Sequence, residues 1–340
     1  MIAHSRSKWS GVVDRRSFLF QGLIGGAVAG AGGGWIRSWG AGTFSDERGG
    51  NQGGPKLNGE PFRLKYLLAS SLFGTLPLEV VLSSASKTGA EAVDLWPRPH
   101  ANHREQMEEL GLERSLALCT KYNTRIGALS RYDLGPFGLA KEMAVARELG
   151  AEMIVTGCGR GKPADPKATE KAVEALIQDL RPVAECAEKE GVRVAIENHS
   201  GTLLATPESV RWFLQKNPYP RIGLALAPYH LPQDPQLIAK LIEEAGKQLF
   251  VFYAWQYGKG CMQKLPKEEE LEQLPGRGPL DFRPIMAALQ KIRFSGWTEI
   301  FMHPYPRGVP MLDTPEQIVE ELNRSREYLE RSLVPAVNGS

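Results

Sequence analysis

From residue 63 onward, short apolar runs alternate with stretches whose apolar positions recur every three to four residues. The runs predict strands at 64–70, 92–96, 125–129, 153–157, 192–199, 222–227, 249–256 and 297–303. They are mostly apolar rather than alternating, as parallel strands covered by helices on their outer face are. Between them the helical period predicts helices at 78–88, 139–149, 169–190, 207–216, 235–246, 282–292 and 315–333. The stretches 104–111 and 114–121 read as one bent helix or two. Thr206-Pro207-Glu208 and Thr314-Pro315-Glu316 each place an N-cap threonine before a proline in the first turn. Gly89, Gly150, Gly191 and Gly246 stand where helices should stop. Repeated strand-then-helix units give a parallel sheet with right-handed crossovers. Eight of them predict an α/β fold, a closed (β/α)8 TIM barrel, with a doubly wound open sheet as the alternative. No G-x-G-x-x-G follows the first strand, and the glycine-rich 157–162 lacks P-loop spacing, so it reads as a turn after strand four.

The first sixty residues carry a different pattern. Arg6, Lys8 and Arg15-Arg16-Ser17-Phe18-Leu19 precede a short Gly/Ala-rich apolar run from Gly22 to about Ala31, with A-x-A sites at 27–29 and 29–31. This predicts a twin-arginine signal peptide over 1–39 and an extracytoplasmic, periplasmic-type location. The run is too short and glycine-rich for a stable membrane span of ~30 Å. Residues 40–60 are polar and Gly-rich and read as a flexible linker, leaving 61–335 for one barrel, near the ~250 residues typical of that fold. The formal charge of +2 is misleading, because residues 1–44 hold five Arg or Lys and one acid. The remainder is slightly acidic, with no basic stripe for nucleic acid. Cys119, Cys158, Cys186 and Cys261 have no short paired spacing, so neither a disulfide framework nor a zinc-cysteine site is expected.

The site of such a barrel is built at the C-terminal strand ends. With period two along Val194-Ala195-Ile196-Glu197-Asn198-His199, Glu197 and His199 face the axis together with Ala195. In Trp297-Thr298-Glu299-Ile300, Glu299 faces inward. Two glutamates thus converge, and a buried, unpaired carboxylate needs a metal, a base or a shared proton. Asp94 and Trp96 share inward parity on strand two, followed by His100 and His103. Strand six ends in Tyr229-His230. Strand seven offers Tyr253, Trp255 and Gln256, and past strand eight come His303 and Arg307. Five of the six histidines fall at this end of the barrel, and the sixth is His4. That clustering favours a site over scattered surface histidines.

Gly89-Ala90-Glu91-Ala92-Val93-Asp94-Leu95-Trp96, Val194 to His199, Pro228-Tyr229-His230 and Gly296-Trp297-Thr298-Glu299, taken in order, resemble the xylose-isomerase-like barrels, the sugar phosphate isomerase/epimerase group. The resemblance spans about 63–332. It implies a divalent metal (Mn, Mg, Zn or Co) held by Glu on strand five, Asp on strand six, His on strand seven and Glu on strand eight. The two glutamates also shuttle protons beside a sugar carbonyl. Glu197 and Glu299 take the glutamate positions as catalytic residues and metal ligands, and His230 matches the substrate-side histidine. The aspartate is replaced by Ala227. No His, Asp or Glu occurs from Gln248 to Gly260, so the strand-seven histidine is missing too. A metal would rest on Glu197, Glu299 and His230, with Gln256 or water completing the shell.

The resemblance implies an enzyme that isomerises, epimerises or eliminates on a small-molecule sugar or keto-sugar by removing the proton beside its carbonyl. Glu197 would be base and Glu299 acid, or the reverse. Trp96, Tyr253 and Trp255 would stack on the sugar. Asp94, His100, His103, His199, His230, Gln256, His303 and Arg307 would bind its hydroxyls or an acid group. Export favours oxidised over phosphorylated sugars. The alternative is a degenerate carbohydrate-binding barrel that has lost its metal, for which Ala227 speaks. The zinc-dependent abasic-site endonucleases of related fold need more ligands and a basic DNA face, both absent here.

Overall fold

The computed structural model describes residues 61–259 and 262–333. The expected signal peptide and linker, Cys261 and the last two residues assigned to the barrel lie outside the described residues. Among those described, no helix is long and apolar enough to cross a membrane, and Cys119, Cys158 and Cys186 are free thiols.

Eight parallel strands close into a barrel in sequence order: β1 Lys65–Ala69, β2 Ala92–Leu95, β3 Ile126–Ser130, β4 Met153–Gly157, β5 Arg193–Glu197, β6 Ile222–Leu226, β7 Leu249–Ala254 and β8 Trp297–Ile300. The chain is thus a (β/α)8 TIM barrel and not an open sheet, since β8 pairs back onto β1 with Leu67 opposite Glu299. The floor is drawn tight at β3. A Cβ on Gly127 would lie 2.7 Å from the Ala92 Cβ and 2.8 Å from the Leu67 side chain, so only glycine lets these strands close there.

The helices wrap the outside: α1 Leu78–Ala85, α2 His103–Leu110, α3 Leu112–Lys121, α4 Ala140–Leu149, α5 Thr169–Asp179, α6 Arg181–Glu190, α7 Pro207–Lys216, α8 Pro235–Ala245, α9 Lys267–Glu270, α10 Arg283–Lys291 and α11 Pro315–Arg331. Thr206 and Thr314 close capping boxes, with Ser209 and Gln317 as their third-position partners. Gly89, Gly150 and Gly191 end their helices at φ near +70°. One expectation is corrected. The helix at 169–190 is two helices, because Pro182 has no N–H to continue α5 and the chain restarts as α6 at Arg181. Of the two readings of 104–121, one bent helix or two, the structure shows two, parted at Gly111 with φ +78° and ψ 163°.

Three strands stop two or more residues short of their expected ends, β5 at Glu197, β7 at Ala254 and β8 at Ile300. At β5 the cause is visible. The Asn198 amide oxygen accepts from the Ala227 N–H at 2.7 Å, and its Nδ2 donates to the Ala227 carbonyl at 3.1 Å. This side-chain clasp replaces the next ladder bonds and frees the chain to turn. His199, Trp255, Gln256 and His303 therefore sit on loops, where strand alternation no longer governs direction.

Candidate active site

Three acids are buried at the strand ends. Asp94 and Glu299 are fully buried and Glu197 is 5% exposed. Glu197 lies between Gly157 of β4 and Ala225 of β6, small neighbours that leave space beside the carboxylate. Glu299 has Tyr253 as its register partner on β7. The Asp94 Oδ2 accepts from the Ser130 hydroxyl at 2.6 Å, while its Oδ1 and both carboxyl oxygens of Glu299 have no hydrogen-bond partner.

Burial sets the protonation of all three. It pushes Glu197 up to about 8, against a hydrogen bond from Tyr132 that draws it down. It raises Asp94 to about 7, offset in part by Ser130 and Trp96. Glu299 is held well above the carboxylate range, by burial first and then by the charges of Asp94 and Glu197. Like charges in low dielectric cannot all ionise.

Tyr132, two residues past β3, reaches this floor across Gly157, where a Cβ would sit 3.9 Å from its ring. Its hydroxyl is 3.1 Å from that of Tyr253. Burial holds both phenols well above their usual range, so they stay neutral and can donate hydrogen bonds.

A second cluster stands at the β5 and β6 ends. One ligand atom each of Glu197, His199 and His230 lies within 4.8 Å of the other two. The Ser200 carbonyl accepts from His199 Nδ1 at 2.7 Å, and the Ser200 hydroxyl meets His230 Nδ1 at 3.1 Å. Ser200 thus orients both rings through their Nδ1 atoms, and Nε2 of His230 is buried without a partner among the described residues. Burial, then the neighbouring His199, lowers His230 to about 3. One carboxylate and two imidazoles with their far nitrogens anchored are a donor set suited to a divalent cation. Of the expected trio Glu197, Glu299 and His230, this cluster joins Glu197 and His230 with His199, which the turn after β5 brings beside His230; the charge of Asp94 acts on Glu299.

Aromatic rings roof the acids. Tyr229 stacks on Trp255 at 4.0 Å, Trp255 meets Phe301 at 5.1 Å, Phe301 stacks on Trp96 at 5.2 Å, and Trp96 stacks on Tyr132 at 5.2 Å. His100 and His303 stack at 4.9 Å beside Trp96. Arg307 acts on both electrostatically.

Two expected residues are not brought to this centre. His103 is buried at the start of α2, its Nε2 2.9 Å from the Leu76 carbonyl. Gln256 donates to the Leu274 carbonyl at 2.6 Å and accepts from the Leu280 N–H at 2.8 Å. Its amide is committed to the 274–280 backbone, which corrects its expected place in a metal shell. Tyr132, Ser200, Tyr229 and Phe301 belong to the site but were not anticipated in these roles. The only signal for them was their position one to three residues past a strand end.

The family model for the xylose isomerase-like TIM barrel matches residues 82–328, and the chain belongs to that family. No curated protein matches the sequence significantly. Solved structures share the fold at low identity. A D-allulose 3-epimerase from Methylomonas sp. is 17% identical with a TM-score of 0.59, covering 80% of this chain and 99% of that one. The IolI protein, whose structure has a bound zinc atom, is 16% identical with a TM-score of 0.61, over 80% and 100%. The probable 3-DHS dehydratase AsbF from Bacillus anthracis is 15% identical with a TM-score of 0.59, over 78% and 99%.

Proposed function

We propose that this protein is a sugar-modifying enzyme that removes the proton on the carbon beside the carbonyl of a sugar or keto-sugar, giving isomerisation, epimerisation or elimination. One observation carries this reading: Asp94, Glu197 and Glu299 are buried together at the mouth of the barrel, and none of them forms a salt bridge with an arginine or lysine among the described residues. Their environments separate their roles. Glu299, held well above the carboxylate range by burial, keeps its proton and is the general acid. Glu197, which releases its proton near 8, is the base, poised close to the working pH. The neutral phenols of Tyr132 and Tyr253 donate toward the oxygen on which negative charge develops. Glu197, His199 and His230 would hold a divalent cation, which when bound polarises the carbonyl as a Lewis acid. Epimerases and a dehydratase of the same fold, and the zinc atom in IolI, support the class of reaction and the metal. We also assign the protein to the extracytoplasmic space, on Arg15-Arg16 and the apolar run after them. Replacing both arginines by lysine should hold it in the cytoplasm.

Solvent exchange tests the reaction without knowledge of the product. The protein is incubated in deuterated water with D-allulose, D-tagatose and D-fructose, with EDTA or with Mn²⁺, Co²⁺, Zn²⁺ or Mg²⁺. Deuterium should appear by NMR on the carbon beside the carbonyl, and be lost in Glu197→Gln and Glu299→Gln. The second reading, a carbohydrate-binding barrel without turnover, is favoured by Ala227 at the position of a family ligand. Calorimetric binding of a ketose with no exchange under any metal would establish it over the first.

A further inference from the structure

We propose that Gln273 is a positioning residue, a single amide that fixes both Trp255 and His303 in the mouth of the barrel. It comes from the segment between β7 and β8, three residues past the end of α9, and is fully buried. Its Oε1 accepts from the Trp255 indole Nε1 at 3.1 Å and from the His303 backbone N–H at 3.1 Å. Its Nε2 donates to the His303 carbonyl at 3.1 Å and to the Glu270 carbonyl at 3.1 Å. Both hydrogens and both acceptor positions are thus engaged, the full capacity of the amide. A charged side chain would fail here. A carboxylate has no hydrogen for the two carbonyls, and an ammonium or guanidinium has no acceptor for the two N–H groups.

These bonds fall where the strands stop. Trp255 lies one residue past β7 and His303 three residues past β8, so neither side chain is aimed by strand alternation. The two-pronged grip on the His303 peptide repeats the Asn198 clasp on Ala227 at the β5–β6 side. It has one addition, because the same oxygen also takes an indole. That indole stacks on Tyr229 at 4.0 Å and meets His230 at 5.1 Å and His303 at 5.2 Å, both at 89°. An indole carries a single N–H, so its one acceptor decides how the ring is turned. Turning it would withdraw the ring that backs His230 and would open the wall built by the β7 and β8 loops. On the sugar-modifying reading, on which this consequence rests, that wall lies against the substrate. Gln273 therefore shapes the wall without touching substrate, and acts on affinity rather than on proton transfer.

NMR of the full-length protein labelled with ¹⁵N-tryptophan and ¹⁵N-histidine decides it, with Trp255→Phe assigning the Trp255 indole resonance. In wild type that indole N–H should exchange with deuterated water about tenfold or more slowly than free tryptophan. Gln273→Met, apolar and of similar length, should shift the Trp255 indole and the His230 imidazole resonances. Gln248→Met breaks a comparable amide contact just before β7, at the other end of the barrel, and should shift neither. Gln273→Glu keeps both acceptors and loses both donors. It should keep the slow indole exchange while shifting the His303 amide, and it carries the test if Gln273→Met does not fold. In the solvent-deuterium assay, Gln273→Met should raise the half-saturating ketose concentration about fivefold and leave the rate at saturation almost unchanged. A wild-type indole that exchanges as fast as free tryptophan overturns the assignment. So do resonances that stay in place in Gln273→Met, equal shifts in Gln248→Met, or a loss confined to the saturating rate. A wild type that puts no deuterium into any ketose counts against the reaction alone, because the resonances still decide Gln273.

Discussion

Glu142 and Glu299 are both buried glutamates, and almost everything else about them differs. Glu142, on α4 outside the barrel, receives Arg104 Nε at 2.6 Å and Nη2 at 3.2 Å, and Arg131 Nη1 at 2.5 Å. Glu299, inside the barrel, has no salt bridge among the described residues. The contrast extends to the remaining buried acids. Glu190 is paired with Arg147, Glu270 with Lys267 and Glu321 with Arg277, whereas Asp94 and Glu197 have no salt bridge among the described residues. A folded chain loses several kcal/mol per unpaired buried charge. Where a basic partner is supplied, the acid fastens two elements together. Where none is supplied, and the acids gather at the mouth of a barrel, the fold is holding them for something else to meet.

Substitutions can break this division. The largest effect is expected in turnover. Glu197→Gln and Glu299→Gln should each slow deuterium exchange by roughly 10²–10⁴-fold with the fold preserved, as read by NMR and circular dichroism. Exchange within a few-fold of wild type in either variant would remove it from the acid–base pair. Next in size, Glu142→Gln leaves Arg104 and Arg131 without their shared carboxylate. It should cost about 3–5 kcal/mol of stability in urea melts without abolishing exchange. An unchanged midpoint would mean that pairing does not distinguish the two kinds of acid.

The pH dependence of stability sharpens the comparison further. Asp94 rises from 3.8 to about 7 on folding, chiefly through burial. Its folded form therefore binds the proton more tightly than its unfolded form. That contribution to stability is complete below pH 4 and is lost as the pH climbs toward 7 and beyond. In metal-free protein, Asp94→Asn should match wild type at pH 4 and exceed it by roughly 2–4 kcal/mol at pH 8, at about 1.4 kcal/mol per pKa unit. A difference that does not grow with pH would contradict the burial. The smallest effect is expected at Tyr132→Phe. It removes one hydroxyl from the Glu197 and Tyr253 contacts and should cost about 1 kcal/mol in stability, with a downward change in exchange rate. No change in either would place the phenol outside the site.

The barrel was legible in the sequence because its strands are mostly apolar and several of its helices are bounded by their own caps, at Thr206 and Thr314 and at Gly150 and Gly191. Both signals are local. Glu197 and Glu299 were legible for a related reason: each continues a strand whose alternation fixes its side. The rest depends on contacts that no local pattern encodes. Tyr132 lies on a loop two residues past β3, and its packing against Gly157 and its contact with the Tyr253 hydroxyl join residues from three strands. His199 becomes a candidate ligand because Asn198 clasps Ala227, twenty-nine residues away, and ends the strand early. Conversely, His103 and Gln256 have the residue type and position of site groups, yet their hydrogen bonds go to Leu76, Leu274 and Leu280. Residue type and sequence position cannot show where a polar group is already satisfied.

The roof of rings has a kinetic consequence. Tyr229, Trp255, Phe301, Trp96 and Tyr132 come from the loops after β6, β7, β8, β2 and β3, and each packs on the next. Every such contact is worth roughly 0.5–1.5 kcal/mol beyond simple burial, so moving one ring loosens its neighbours. Admission of a substrate is then a collective repacking of several loops, on the microsecond-to-millisecond scale of lid motions rather than the nanoseconds of a single rotamer. Association should accordingly be slower than diffusion allows and only weakly sensitive to ionic strength. The gate that sets it is apolar, and salt does not screen dispersion.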